Sequence, residues 1–219
     1  MIVNVKEIVN EEESKLKEKI QRENLKPRLA VIVANNLESS KSYVCSKQKM
    51  ATRLNIVQDE YYFESDVTEE ELINKIDELN DNEDINGILI QLPLYPHLNE
   101  DRIINRVKAL KDVDGFTNEN LGRIASNDKL IIPCTPKGIL LLLERLNCNL
   151  QGCNVVILGR SKIVGMPLSQ ILVSKGATVT VCNSKTKDIA FYTRNADVVI
   201  SATGLINVIN ADMIKKDSI

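Results

Sequence analysis

The chain has one histidine and no tryptophan, and aromatic residues make up only 4% of its 219 positions. Acid–base chemistry is therefore expected to use a residue other than His97. No block of one charge sign exists either: 28 basic residues oppose 30 acidic ones, for a formal charge of -2. Without a basic face, nucleic acid is excluded as the expected partner. Apolar runs such as Ile139–Leu143 fall far short of a bilayer span, and the start MIVNVKEIVNEEES lacks the apolar centre of a secretion signal. A cytoplasmic chain with no membrane partner is expected. The five cysteines form no Cys-x-x-Cys pair. An odd count suits a reducing compartment, and Cys148 and Cys153 have no nearby histidines, so no metal site is expected.

What is present is the composition of a soluble globular protein, 43% hydrophobic and 26% charged. The length admits one large domain or two small ones. Residues 11–24 are polar and helical in pattern. Arg28–Ala34 is a β-branched apolar run suited to a strand buried on both faces. The alternation continues with a helix over Ser42–Leu54 and a strand over Ile56–Phe63. A helix over Thr68–Asn80 follows, opened by the Thr68/Glu71 capping pair, then a strand over Gly87–Leu92 stopped by Pro93. A helix is expected over Asn99–Leu110, then a polar, turn-rich stretch from Lys111 to Lys129. Pro136 next opens a helix reaching about Leu146. The pattern restarts with strands at Asn154–Leu158, Ala177–Cys182 and Asp197–Ala202, separated by helices at Val164–Ser174 and Lys187–Asn195. This predicts an α/β protein of two parallel-sheet units, residues 1–119 and 120–219.

Four places could carry chemistry. Tyr43, Lys47, Met50, Ala51 and Leu54 share one helical face, which puts a lysine in an apolar stripe. Lys47 is then either a stem snorkelling to water or a desolvated amine able to act as general acid or base. Gln91 sits at the carboxyl end of a buried strand, as a simple strand cap or as a ligand-binding amide. Asp114-Gly115 is a turn, with Asp114 open to a ligand-orienting role. Strand 154–158 runs into Gly159-Arg160-Ser161 and, after Gly165, a helix. This is either a tight turn or a phosphate cradle, and it is neither Gly-x-Gly-x-x-Gly nor a P-loop. After the second strand of this unit, Cys182-Asn183-Ser184-Lys185-Thr186 supplies no acid for a ribose hydroxyl. With Arg160 at hand, NADP is expected over NAD.

Taken in order, Ser42-Tyr43-Val44 with Lys47 and Lys49, Gly87–Leu94, Lys111–Phe116, Pro133–Gly138 and Gly159–Pro167 resemble one family. It is the bifunctional methylenetetrahydrofolate dehydrogenase/methenyltetrahydrofolate cyclohydrolase family. The resemblance implies an N-terminal folate-binding catalytic unit and a C-terminal NADP-binding Rossmann unit with a cleft between them. It also implies a homodimer acting on tetrahydrofolate one-carbon derivatives. By the same resemblance Lys47 is the central catalytic group and Tyr43 stacks on or hydrogen-bonds the folate. Gln91 contacts the lysine, Leu92 lines the substrate site and Asp114 grips the pterin. Gly159, Arg160, Ser161 and Ser184 match NADP-binding positions. The family continues beyond Asp217-Ser218-Ile219 with further strands, a closing loop and a final helix. Only the first half of the Rossmann sheet is expected here, with dehydrogenase activity much weaker than that of a version extended to the family's usual end, and with cyclohydrolase activity less affected. Two rivals are a catalytically silent paralogue and an unrelated NADP-dependent dehydrogenase.

Overall fold

The computed structural model of the chain describes residues 2–128 and 130–219. The chain divides into two units, Met1–Val113 and Asp114–Ile219. Residue 119, where the sequence places the boundary, falls inside a helix of the second unit. Among the described residues no helix is long and apolar enough to cross a membrane.

The first unit runs α1 (Val5–Arg22), β1 (Arg28–Val33), α2 (Glu38–Arg53), β2 (Val57–Tyr62), α3 (Glu69–Asp81), β3 (Gly87–Gln91) and α4 (Glu100–Ile104). Its parallel sheet has the order β2-β1-β3. The central strand is apolar without alternation because both of its faces are covered. Ala30 and Ile32 pack with Leu72, Ile76 and Leu79 of α3, whereas Val31 and Val33 pack with Val44 of α2. Placing the first strand in the middle makes the chain cross from one edge to the other after β2. The carboxyl ends of β1 and β3 therefore flank the point where strand order reverses, the place where open α/β sheets collect ligand groups.

The expected capping pair is formed. Glu71 N–H donates to Thr68 Oγ1 at 3.2 Å, while the Thr68 N–H and hydroxyl both donate to Glu71 Oε2 at 2.8 Å. These bonds hold the Glu71 carboxyl below the usual glutamate range. Thr68→Ala is expected to cost about 1 kcal/mol and a few degrees of melting midpoint. A depressed carboxyl stabilises above its unfolded pKa and loses that contribution as pH falls through the folded value. The part of the penalty that runs through Glu71 should accordingly fade in acid, as circular-dichroism melts of parent and variant at neutral and acid pH would show.

The helix expected over Asn99–Leu110 is confined to Glu100–Ile104. Buried Asn80 ends it from outside: its Nδ2 donates to Arg106 O and its Oδ1 accepts from Lys108 N, both at 2.9 Å. Lys111 then donates to Leu79 O and Asn82 O at 2.9 and 2.7 Å, and burial pushes its ammonium pKa down. This lysine anchors segment 111–113 beside β3, where Ile88 N–H donates to Lys111 O at 2.7 Å. Gly87 makes room for it, since a Cβ there would lie 2.3 Å from Val113 Cγ1.

The second unit runs α5 (Asn118–Ala125), α6 (Cys134–Arg145), β4 (Asn154–Leu158), α7 (Gly165–Ser174), β5 (Thr178–Cys182), α8 (Ile189–Thr193) and β6 (Val198–Ser201), with a 3-10 turn at Ala211–Met213. Helix α5 lies inside the stretch expected to be turns; Lys129, at the end of that stretch, lies outside the described residues. Thr117 caps α5 by accepting from Asn120 N–H, and Ile124 and Leu121 dock on the core. Two apolar positions among polar ones left too little periodicity to see. The parallel sheet has the order β5-β4-β6. Because β6 crosses to the far side of β4, the reversal of strand order is already present.

Candidate functional site

In the first unit, α2 presents Ser40, Val44 and Ala51 to the core, with Leu54 just beyond its end. Lys47 falls inside that buried arc at 3.6 residues per turn, while Tyr43 falls at its margin. Tyr43 is consequently 59% exposed, which corrects the expectation that it shares the apolar stripe. The half-buried Lys47 bends out to it, with Nζ 4.6 Å from the Tyr43 ring centroid, a cation–π contact that fixes the amine on that side of the helix.

Gln91 ends β3 and is 9% exposed. Side chains alternate along a strand, so Gln91 shares a face with Leu89, which packs with Val44 of α2. Its Nε2 donates to Leu92 O at 2.9 Å, and its buried Oε1 accepts no hydrogen bond. The contact with Lys47 expected from the resemblance is thus not made as a hydrogen bond to this atom. A buried acceptor left open costs about 1–3 kcal/mol and invites a donor from substrate or side chain. Leu92, half-buried, joins Pro93 through a cis peptide. Sequence reasoning missed Asn35, a buried side chain just past β1 that donates to Pro93 O at 2.7 Å. A polar residue directly after an unbroken apolar strand was the signal that could have found it.

Asp114 opens the second unit and is half-buried, with Cys134 Sγ 3.9 Å from its Oδ1. Gly115 behind it has φ 71°, and a Cβ there would meet Pro133 N at 3.0 Å, so the Asp-Gly turn requires glycine. Gly159, Arg160, Ser161 and Ser184 come together around one cavity of about 410 Å3 at the carboxyl ends of β4 and β5. Gly159 has φ 112°, and a Cβ on it would lie 2.6 Å from Ala202 O. Gly165 starts α7 so close that its Cβ would lie 2.0 Å from Gly159 O. Among the described residues no side chain caps α7, but Met166 N–H already donates to Ser161 O at 3.1 Å and Pro167 has no N–H, so of the first turn only the Gly165 N–H is left open to an anion. Ser161 Oγ accepts Val164 N–H at 3.2 Å, which holds the loop shut behind that opening.

Across the cavity, Asn183 and Thr186 lock the turn after β5. Thr186 N–H donates to Asn183 O at 2.9 Å, and Asn183 N–H donates to Thr186 Oγ1 at 3.0 Å. Ser184 is carried exposed on that turn. No carboxylate lines the cavity, and among the described residues Arg160 has no ion-pair partner. A cation on a rim without carboxylates fits a ribose phosphate better than a ribose hydroxyl. Cys182, also at the rim, is buried, and burial raises its thiol pKa, so it is a packing group rather than a nucleophile.

Residues 3–114 match the description "Tetrahydrofolate dehydrogenase/cyclohydrolase, catalytic domain", and residues 133–219 match "Tetrahydrofolate dehydrogenase/cyclohydrolase, NAD(P)-binding domain". A bifunctional protein FolD from Caldanaerobacter subterraneus is 40% identical over 216 residues, covering 99% of this chain and 77% of the relative. The crystal structure of the FolD methylenetetrahydrofolate dehydrogenase/cyclohydrolase from Campylobacter jejuni superimposes with a TM-score of 0.92 at 38% identity, over 94% of this chain and 75% of that one. The Trypanosoma brucei enzyme, solved with NADP cofactor and an inhibitor, superimposes at 0.91 with 29% identity, over 98% and 75% of the two chains. With both units matched in order and a relative 40% identical over nearly the whole chain, the chain belongs to the tetrahydrofolate dehydrogenase/cyclohydrolase family.

Proposed function

We propose that this chain oxidises 5,10-methylenetetrahydrofolate to the 5,10-methenyl form with NADP and hydrolyses that product to 10-formyltetrahydrofolate. The observation that carries the reading is a half-buried amine, Lys47, on the helix packed against the sheet face that bears the open Oε1 of Gln91. Hydrolysis adds water across the bridging carbon and then breaks one carbon–nitrogen bond. Lys47 in its neutral form takes one proton of the attacking water and returns it to the departing ring nitrogen, while the remaining hydroxyl proton of the adduct leaves to solvent as the formyl carbonyl forms, discharging the positive charge of the methenyl substrate. Gln91 Oε1 accepts from the water or from the ammonium so formed. Tyr43, exposed beside the amine, supplies a ring face for the folate, with Leu92 lining the site and Asp114 accepting from the pterin. NADP, when bound, supplies the hydride acceptor. Gly159 and Gly165 let the backbone approach its phosphates, Ser161 and Ser184 offer hydroxyls, and Arg160 reads the 2′-phosphate. From the family resemblance we further infer a cytoplasmic homodimer supplying formyl groups to purine synthesis.

An absorbance assay for methenyltetrahydrofolate formation and decay, run with NADP and with NAD, tests the whole reading. Formation with NADP followed by decay supports it, and absence of decay removes the cyclohydrolase half. Arg160→Ala should cut NADP-over-NAD discrimination about tenfold, the lower end for a charge-assisted bond because the guanidinium is exposed. Unchanged discrimination would mean that Arg160 does not read the phosphate.

A further inference from the structure

Asn35 is 8% exposed, and both ends of its amide are committed. Nδ2 donates to Pro93 O at 2.7 Å, across 58 residues of sequence, and Oδ1 accepts Leu37 N–H at 3.1 Å. Leu37 is the residue that leads into α2, which carries Tyr43 and Lys47 and has no side-chain cap of its own. Pro93 belongs to the loop that follows β3, two residues past Gln91. Beside this bridge, Tyr95 N–H donates to Ala34 O at 2.8 Å. One buried amide therefore ties the entrance of the lysine helix to the glutamine loop, at the point where the strand order reverses. The carbonyl of the residue before, Leu92 O, is the acceptor that holds the Gln91 amide nitrogen and leaves the buried Oε1 without a donor. Release of Pro93 O would loosen the residue bonded directly to the Leu92 carbonyl that holds the Gln91 amide.

We infer that Asn35 is a positioning residue for the cyclohydrolase reaction, holding the Lys47 helix and the Gln91 loop in register without touching the reacting atoms. This rests on the reading of Lys47 and Gln91 given above. A catalytic pair displaced by about 1 Å can lose roughly a hundredfold in rate. The two bonds can be separated, because Asn35→Asp keeps an acceptor for Leu37 N–H but offers no donor to Pro93 O, whereas Asn35→Ala removes both.

The test measures methenyltetrahydrofolate hydrolysis on the full chain for Asn35→Asp, Asn35→Ala and Lys47→Met, with melting midpoints and the KM for NADP alongside. The expected result is a fall in cyclohydrolase kcat of about tenfold or more in both Asn35 variants, with the KM for NADP within about twofold of the parent. Asn35→Asp, which keeps the helix entrance fixed, should melt closer to the parent and still lose turnover. A purely structural role would instead lower the melting midpoint and leave kcat per folded molecule intact, and that outcome overturns the inference. Near-normal turnover in Lys47→Met would overturn the underlying reading and the inference with it, a result distinct from loss in Lys47→Met with retention in both Asn35 variants.

Discussion

Lys47→Met is expected to leave the first unit folded and to lower cyclohydrolase turnover by about a hundredfold to ten-thousandfold, the usual worth of a positioned general acid–base group. The stem of Lys47 lies in the buried arc of α2 with Val44 and Ala51, and methionine replaces it with a stem of similar length and no charge. The amine bent toward Tyr43 is the only part lost. Decay of methenyltetrahydrofolate absorbance, compared with the melting curve of the same sample, separates chemistry from folding. A folded variant with turnover near that of the parent would refute the assignment.

The second large effect is expected at Gly165. Its Cβ would stand 2.0 Å from the carbonyl oxygen of Gly159, a contact between two backbones that no rotamer relieves. Gly165→Ala must push α7 away from the β4 turn, at a cost of about 1–3 kcal/mol for overpacking. The cradle of Gly159, Arg160 and Ser161 opens with it. NADP-dependent oxidation should fall by roughly a hundredfold, as expected for a displacement of about 1 Å, while hydrolysis centred on Lys47 in the other unit is largely kept. Measuring both activities and the KM for NADP on one preparation checks this. A parental KM for NADP would show that the close approach of α7 does not shape the cofactor site.

These expectations draw on residues of different legibility. Gly159 and Arg160 could be read from a strand running into a glycine turn and a helix, because each step of that pattern is local. Lys47 was visible as a charge in an apolar period. Tyr43 was misjudged by the same period: the buried arc of α2 is narrow, and a residue at its margin is turned outward by packing that the period does not report. Helix α5 escaped notice because its fold depends on Thr117 at one end and on a core formed by distant strands at the other. Helix α4 was read too long because Asn80, from α3, claims the backbone of Arg106 and Lys108.

Local sequence is enough to specify the alternation of helices and strands, the two-unit α/β class, the capping pair at Thr68 and the residue types available for chemistry. Each of these follows from neighbours within a turn or a strand length, where periodicity and backbone preference act directly. Tertiary structure alone decided that β1 and β4 are central, that β6 crosses to the far side of β4, that Gln91 keeps an open buried acceptor and that Asn35 bridges to Pro93. Those outcomes depend on which distant segments compete for the same hydrogen bonds and the same apolar face, and that competition is settled only when the chain packs.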